Sequence, residues 1–232
     1  KKKLIKIIKL ESNDKELNKV TSTAELTIGM ILVIVRNLHT AYFDFVKKKK
    51  NSRNHYIGRS LSNLSIGIIG YGRIGKMVSK MAKVFKMDVF IYEIDKKKIP
   101  LNSKLKFVTS MKEIFIKSDI ISIHIPYIYK NQHIINKKLF ALTKNKPYLI
   151  NTSRGELIND EDLFWALKNQ KLSGAALDVL SDEYNCESLF YKKLNKNSQY
   201  NFFILPHLGG CTLDSMQITE DIIAKKFERI AK

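Results

Sequence analysis

Three glycines lie where a backbone could meet a phosphate group: Gly70, Gly72 and Gly75 in the run GYGRIG. The apolar segment SIGII precedes this run, and RIGKMVSKMAKVF, with helical periodicity, follows it. In such a strand–turn–helix unit the first glycine permits the turn, the second lets a pyrophosphate approach, and the third lets helix and sheet pack closely. The N-terminus of the helix attracts negative charge. Arg73 adds a positive charge at the same place. The pattern predicts a dinucleotide site at Gly70, Gly72, Arg73, Ile74 and Gly75.

An acidic residue ends the next apolar segment, MDVFIYE, at Glu93. A carboxylate at this place accepts hydrogen bonds from the adenosine ribose 2′-OH and repels a 2′-phosphate, so the pattern favours NAD over NADP. Asp95 is an alternative candidate for this role. The basic run Lys96–Lys98 lies close by and weakens the exclusion of NADP.

Three further segments carry ionisable groups near the ends of predicted strands. They are NTSRG at 151–155, ALDVLSDE at 176–183 and PHLGG at 206–210. Because open α/β sheets bind ligands at the carboxyl edge of their strands, we expect these segments to converge on the glycine loop.

The ordered motifs of the chain resemble those of a known enzyme family. STAELTIGMILVIVRNL, GIIGYGRIG, SDIISIHIP, LINTSRGELINDEDLFWALKNQKLSGAALDV and LPHLGGCT are similar, in order and spacing, to motifs of the NAD-dependent D-isomer-specific 2-hydroxyacid dehydrogenases, including the D-3-phosphoglycerate dehydrogenase type. The resemblance covers nearly everything from Ser22 onward. It implies an oxidoreductase (EC 1.1.1.-) that transfers a hydride between NAD(H) and a D-2-hydroxy acid/2-keto acid pair.

The same resemblance implies three catalytic residues. Arg154 would hold the carboxylate and carbonyl of the substrate, a planar target that suits a guanidinium fork. His207 would be the general acid/base, a role that suits a group titrating near neutrality. Glu183 would support His207 and fix its tautomer. The family usually has Pro after this glutamate, whereas this chain has Tyr184, so Asp182 is an alternative.

Further contacts to the cofactor, mainly to its nicotinamide half, follow from the resemblance. The residues implied beyond the glycine loop and Glu93 are Pro126, Thr152, Ser153, Arg154, Asp178, His207, Gly209 and Gly210. His124, at a strand end, is not among them and is expected to have a packing or ion-pair role.

Strands and helices alternate from Ser65 onward, which is typical of a parallel sheet covered on both faces. We predict strands at 65–69, 88–92, 119–124, 147–151, 174–178 and 202–205, and helices at 73–86, 110–117, 137–143, 160–170 and 213–231. A strand at 3–9 and a long helix at 24–47, capped by Thr21 or Ser22, precede them. The predicted class is α/β, a Rossmann-type doubly wound parallel sheet with remnants (first strand, last helix) of a second, smaller domain.

This pattern predicts three regions. Residues 1–20 would be a remnant of a substrate-binding domain, 21–212 the NAD-binding domain with helix 24–47 as hinge and dimer element, and 213–232 a helix returning to the substrate domain. Because much of the family's substrate domain falls outside this chain, we expect the isolated chain to bind NAD but to turn over poorly. The substrate itself cannot be predicted from these residues.

Composition excludes several other classes. The net charge is +19, but only 6 of the 41 basic residues are Arg and the basic runs are scattered, so we expect no nucleic-acid partner. The longest apolar run, Ile28 to Val35, is short and no signal peptide is visible, which favours a cytoplasmic chain without a membrane partner. Cys186 and Cys211 have no metal-ligand spacing, so no metal is expected. Besides a homodimeric enzyme, the alternative is a non-catalytic NAD-sensing, corepressor-like protein.

Overall fold

Seven strands form one parallel sheet in the computed structural model, which describes residues 7–11, 14–48, 52–100, 105–182, 192 and 200–231. The strands lie in the order β3-β2-β1-β4-β5-β6-β7, and each neighbouring pair is parallel. Their bounds are β1 Ser65–Ile69, β2 Asp88–Tyr92, β3 Lys106–Phe107, β4 Ile120–Ile123, β5 Tyr148–Asn151, β6 Gly174–Leu177 and β7 Phe202–Ile204.

The strand order reverses at β1, which pairs with β2 on one side and with β4 on the other. In open α/β sheets a crevice for ligands forms at this switch point, outside the carboxyl ends of the strands. The glycine loop begins there, at Gly70. The central strands, such as IISI in β4 and GAAL in β6, are buried along their whole length because helices cover both faces of the sheet. The predicted doubly wound α/β class is therefore confirmed.

Seven α-helices whose bounds lie in the described part of the chain pack with this sheet, and short 3-10 turns connect several of the elements. α1 and α3 pack with the sheet in one hydrophobic core, and residues of α4, α5 and α6 pack in another. Their bounds are α1 Ser22–Val35, α2 Leu38–Lys48, α3 Arg73–Val84, α4 Met111–Lys117, α5 Lys137–Phe140, α6 Asp160–Lys168 and α7 Leu213–Ala231.

The predicted single helix over 24–47 is wrong, because the chain breaks between α1 and α2. Asn37 takes a left-handed conformation with φ 54°, which Asn tolerates better than most side chains. Its side-chain oxygen accepts a hydrogen bond of 3.2 Å from Asn201 Nδ2, and Asn201 Nδ2 also donates to the carbonyl of Ile34 at 3.1 Å. The break is thus fixed by a residue distant in sequence, while the apolar periodicity continues through it.

Other predicted elements differ in detail. The short edge strand β3 was not predicted, since two residues carry no readable alternation, and the helix predicted at 137–143 ends at Phe140. Residues 7–9 of the predicted first strand are not in a strand, and 3–6 lie outside the described residues. The predicted domain boundaries stay predictions.

Among the described residues, the segment Lys15–Val35 is long and apolar enough to meet the criteria for a membrane span, whereas the sequence predicts no such span. Half of its most apolar part is buried inside the fold. The apolar side chains of α1, among them Ile28, Ile31 and Ile34, pack in the first core. Packing against the sheet accounts for their hydropathy.

Candidate active site

Two of the three glycines of the loop are required by the fold itself. Gly70 has a φ of 99°, and a Cβ there would lie 2.6 Å from the carbonyl oxygen of His124. A Cβ on Gly75 would lie 2.0 Å from the carbonyl oxygen of Gly70, so a side chain would push α3 off the loop. These positions fix where α3 begins relative to β1.

Gly72 is different, because the space where its side chain would lie is open. A Cβ built on it meets nothing within 4 Å, its φ is −77°, and it is the N-cap of α3 without a side-chain capping bond. The first N–H groups of a helix have no partners within the helix. This open cradle in front of them fits a pyrophosphate, as the sequence predicts.

The carboxylate of Glu93 lies against the glycine loop. Its Oε2 accepts a hydrogen bond from the Tyr71 N–H at 2.7 Å, and its Oε1 accepts one from the Asp95 N–H at 2.9 Å. Asp95 instead caps the next short turn by accepting from the Lys97 N–H at 3.1 Å. Glu93 thus lies against the glycine loop and Asp95 does not, and the ribose role of either residue stays a prediction.

A cavity of about 210 Å³ lies beside the start of α3. It brings together predicted site residues from the glycine loop and from the segments 151–155, 176–183 and 206–210. Two further lining residues, Thr23 and His124, were not predicted as site residues. Gly70, Gly72, Gly75, Glu93 and Pro126 are not among its lining residues, and Glu183 lies outside the described residues. The lining residues are Thr23, Arg73, Ile74, His124, Thr152, Ser153, Arg154, Asp178, His207, Gly209 and Gly210.

Asp178 holds the loop that carries His207. Its side chain is 1% exposed, and its two carboxylate oxygens accept hydrogen bonds from the N–H groups of Leu208 at 2.7 Å and Gly209 at 2.8 Å. Its carbonyl accepts from the His207 N–H at 2.8 Å. Such charge-assisted bonds are among the stronger ones in proteins. Asp178 therefore positions His207, and its predicted contact with the cofactor stays a prediction.

His207 itself is exposed and has a left-handed backbone, with φ 58°. A non-glycine residue in this region is uncommon, and such conformations occur preferentially at functional sites. The bonds from Asp178 to this loop hold the conformation in place.

Arg154 is presented by a loop that a buried asparagine holds. Asn151 accepts from the Ser153 N–H at 3.0 Å and donates to the carbonyl of Arg154 at 2.9 Å. The Ser153 hydroxyl donates to the carbonyl of Ile125, which ties this loop to the one that carries Pro126. The exposed guanidinium of Arg154 donates to the Ser153 carbonyl at 2.6 Å and borders the cavity.

Hydroxyl groups of α1 connect both loops, a feature that the sequence did not reveal. Thr23 Oγ1 donates to the carbonyl of Gly209 at 2.9 Å, and Thr27 Oγ1 donates to the carbonyl of Thr23 at 2.7 Å. The Oγ1 atoms of Thr27 and Thr152, both buried residues, are 2.9 Å apart. Because Thr27 uses its hydrogen on Thr23, Thr152 is the donor of this pair. A signal existed in the two threonines, which lie in the first turns of a mainly apolar helix.

The side chain of Arg73 forms hydrogen bonds with the segment before α1. Its guanidinium donates to the carbonyls of Leu17 at 3.0 Å and Val20 at 2.7 Å, and burial lowers its pKa below the usual value. The side chain braces the segment before α1. A direct contact of this cation with pyrophosphate stays a prediction.

His124 lies at the end of β4 with its Nε2 2.8 Å from Ser122 Oγ. Burial lowers the pKa of His124 to about 3, so its ring is neutral near pH 7 and an ion-pair role is not supported. Within the described ranges, no group of three or more His, Cys, Asp and Glu side chains is placed to hold a metal.

A parallel sheet with its glycine loop at the switch point defines a dinucleotide-binding domain. Residues 28–209 match the model of the D-isomer specific 2-hydroxyacid dehydrogenase NAD binding domain, and the chain belongs to this family. The cofactor of this domain is NAD.

Relatives and solved structures agree with this assignment. D-3-phosphoglycerate dehydrogenase of Haemophilus influenzae is 34% identical over 211 residues, which cover 89% of this chain and 49% of that protein. The enzyme of the same name from Methanocaldococcus jannaschii is 31% identical, covering 91% and 39%. The chain thus spans half or less of these relatives. D-lactate dehydrogenase from Aquifex aeolicus, complexed with NAD and lactic acid, has a TM-score of 0.78 at 31% identity, covering 92% of this chain and 67% of that chain.

Proposed function

We propose that this chain is the cofactor domain of an oxidoreductase that transfers a hydride between NAD(H) and a D-2-hydroxy acid/2-keto acid pair. One observation carries the proposal: Arg154 and His207 line the same cavity as Arg73 and Ile74 of the glycine loop. When bound, NADH supplies the hydride. The substrate class follows from the family and from the chemistry of these two side chains.

Arg154 binds the substrate in this proposal. A 2-keto acid presents a carboxylate and a carbonyl oxygen in one plane, and the guanidinium fork offers donors at matching spacing. Its permanent positive charge polarises the carbonyl and makes the carbon a better hydride acceptor. The loop held by Asn151 keeps the guanidinium at the cavity.

His207 moves the proton. As the carbonyl carbon gains the hydride, the imidazolium gives a proton to the oxygen, which becomes the hydroxyl; in the reverse direction the neutral ring takes this proton back. Asp178 holds the loop in the conformation that brings the ring to the cavity. Glu183 is proposed as the carboxylate that fixes the imidazole, by resemblance to the family.

Glu93 sets the preference between cofactors. Its carboxylate lies at the glycine loop, where a 2′-phosphate would meet its negative charge. We therefore propose NAD before NADP, with Lys96–Lys98 moderating the difference.

The whole protein is proposed to be a cytoplasmic homodimer in which α2, with its exposed Tyr42, Phe45 and Val46, lies at the interface. The isolated 232-residue chain is expected to bind NADH and turn over poorly, because closure of a second domain excludes water and completes the substrate site in two-domain enzymes. Measurable reduction of 2-keto acids by this chain alone would contradict that expectation.

A His207→Ala variant of the full-length protein tests the proposed roles. Reduction of 2-keto acids should be abolished, while the Kd for NADH in a fluorescence titration stays within a few-fold of the original. His55→Ala, which removes an exposed imidazole outside the cavity, is the matched control and should change neither quantity. If His207→Ala abolishes NADH binding together with activity, the division of roles is wrong.

A further inference from the structure

The loop that carries His207 is held from two sides. Asp178 Oδ2 accepts from the N–H of Gly209 at 2.8 Å, and Thr23 Oγ1 donates to the carbonyl of the same glycine at 2.9 Å. A Cβ on Gly209 would lie 3.0 Å from Asp178 Oδ2 and 3.2 Å from Thr23 Cγ2, so a side chain would not fit between them without displacing one. Gly209 is therefore held at both its N–H and its carbonyl group.

The backbone of His207 needs such restraint. Its φ of 58° lies in the left-handed region, where a non-glycine residue stays only when the surrounding structure enforces it. Asp178 supplies part of this restraint by accepting from N–H groups of the loop. Thr23 supplies a separate part, because it donates to a carbonyl of the loop, which an ionised carboxylate cannot do.

Thr23 lies on a helix that also contacts the loop of Arg154. Thr27, one turn later on the same face of α1, donates to the carbonyl of Thr23 at 2.7 Å, and its Oγ1 lies 2.9 Å from that of Thr152. Thr152 precedes Arg154 by two residues in the same loop. Two neighbouring turns of one helix therefore connect the loop of Arg154 with the loop of His207.

The first turn of α1 also holds the helix that follows the His207 loop. Ser215 Oγ, near the start of α7, donates to Ser22 Oγ at 2.8 Å, and both residues are buried. α1 itself packs in the first hydrophobic core through side chains such as Ala24 and Ile28. The segment between β7 and α7 is thus attached to a packed helix both in its middle and at its end.

We propose that Thr23 is a positioning residue, which holds His207 in register with Arg154 during the reaction. This inference rests on the proposed function, since it gives Thr23 a part in the same proton transfer. The imidazole must come within hydrogen-bond reach of the carbonyl oxygen that the guanidinium binds, and a small displacement of either group lowers the rate strongly. The hydroxyl hydrogen of Thr23 is used on Gly209, so Thr23 acts through the loop and transfers no proton itself.

A Thr23→Val variant of the full-length protein tests this inference, because it keeps the shape of the side chain and removes the hydroxyl. Amide hydrogen exchange at Leu208 and Gly209 should become about fivefold faster, the effect of losing one hydrogen bond. The kcat for 2-keto acid reduction should also fall about fivefold, while KM and the Kd for NADH stay within twofold. Thr23→Ser, which keeps the hydroxyl, should restore both the exchange rate and kcat to within twofold of the original.

Thr143→Val is the matched control. The buried Thr143 hydroxyl donates to the carbonyl of Lys171 at 2.8 Å, and neither residue lines the cofactor cavity. This variant loses the same kind of hydrogen bond and should unfold at a lower temperature. It should leave kcat and the exchange at Leu208 and Gly209 within twofold of the original.

Four results would overturn the inference. Unchanged exchange in Thr23→Val would show that Thr23 does not hold the loop, and faster exchange with unchanged kcat would show that the hold does not serve the reaction. A raised KM or Kd for NADH with unchanged kcat would indicate a direct contact with a ligand. Equal losses of kcat in Thr143→Val would indicate a general effect of stability. If the unsubstituted protein reduces no 2-keto acid, the proposed function fails, and the exchange measurement decides separately whether Thr23 holds the loop.

Discussion

Glycine-to-alanine substitutions at Gly72 and Gly75 separate the requirements of the cofactor from those of the fold. A methyl on Gly72 enters open space in the protein alone, whereas a methyl on Gly75 would lie 2.0 Å from the carbonyl oxygen of Gly70. If a pyrophosphate occupies the space in front of α3, Gly72→Ala should weaken NADH binding and leave the fold intact. Gly75→Ala should harm both.

The magnitudes follow from the local geometry. At Gly72, with φ −77°, alanine has two small and opposite effects on stability. It destabilises the fold because it is a poorer N-cap, and it stabilises the fold because it lowers the entropy of the unfolded chain. The free energy of unfolding should therefore change by less than about 1 kcal/mol. The methyl group would clash with the bound pyrophosphate and cost about 1–3 kcal/mol of binding free energy. The Kd for NADH should therefore rise about 5- to 150-fold. Gly75→Ala should lower the free energy of unfolding by about 3 kcal/mol or more, since backbone must move.

NADH fluorescence titration and urea unfolding of each variant measure these changes. Gly29→Ala is the control, because Gly29 is exposed within α1 and a Cβ there meets nothing within 4 Å. It should raise the free energy of unfolding by about 1 kcal/mol and leave NADH binding unchanged. Wild-type affinity for NADH in Gly72→Ala, or a loss of stability equal to that of Gly75→Ala, would refute the reasoning.

Three further predictions concern Glu93, Thr27 and His124. Glu93→Gln keeps an acceptor for the Tyr71 N–H but removes the charge, so the ratio of the NADPH and NADH dissociation constants should fall about tenfold; an unchanged ratio would argue against the ribose role. Thr27→Val leaves the buried Thr152 hydroxyl without its acceptor and should lower the free energy of unfolding by about 1–3 kcal/mol in urea, whereas Thr27→Ser should restore most of it. Burial lowers the pKa of His124 from 6.5 to about 3, so between these pH values the unfolded chain binds a proton that the folded chain does not. The free energy of unfolding should therefore decrease as the pH falls from 6.5 toward 3, and His124 should add no pH dependence above 6.5. Its ring should stay neutral at pH 5 by NMR, and a protonated ring at that pH would contradict the described environment.

The sequence predicts best where a local rule decides the structure. Strands such as β4 and β6 are short segments of mainly apolar residues, and the glycine loop follows from steric demands that only glycine meets at Gly70 and Gly75. The convergence of Arg154 and His207 follows from the rule that parallel strands end at one edge.

Features that depend on tertiary contacts escape such rules. The break at Asn37 relies on Asn201, and no Pro or Gly marks it in the sequence. The lowered pKa of His124 depends on burial that no spacing reveals. In the same way, the threonines of α1 look like minor interruptions of an apolar helix until their partners at the site are known.

Hydride transfer to a 2-keto acid is the central claim, and an isotope measurement on the full-length protein tests it most directly. The protein is incubated with NADH deuterated at the transferred position of the nicotinamide and with a panel of 2-keto acids, and the products are analysed by mass spectrometry and chiral chromatography. The account predicts one deuterium at C2 of a D-2-hydroxy acid, and its loss in Arg154→Ala and His207→Ala variants that still bind NADH. Saturable NADH binding without deuterium in any 2-hydroxy acid would contradict the account and favour a non-catalytic NAD-binding protein.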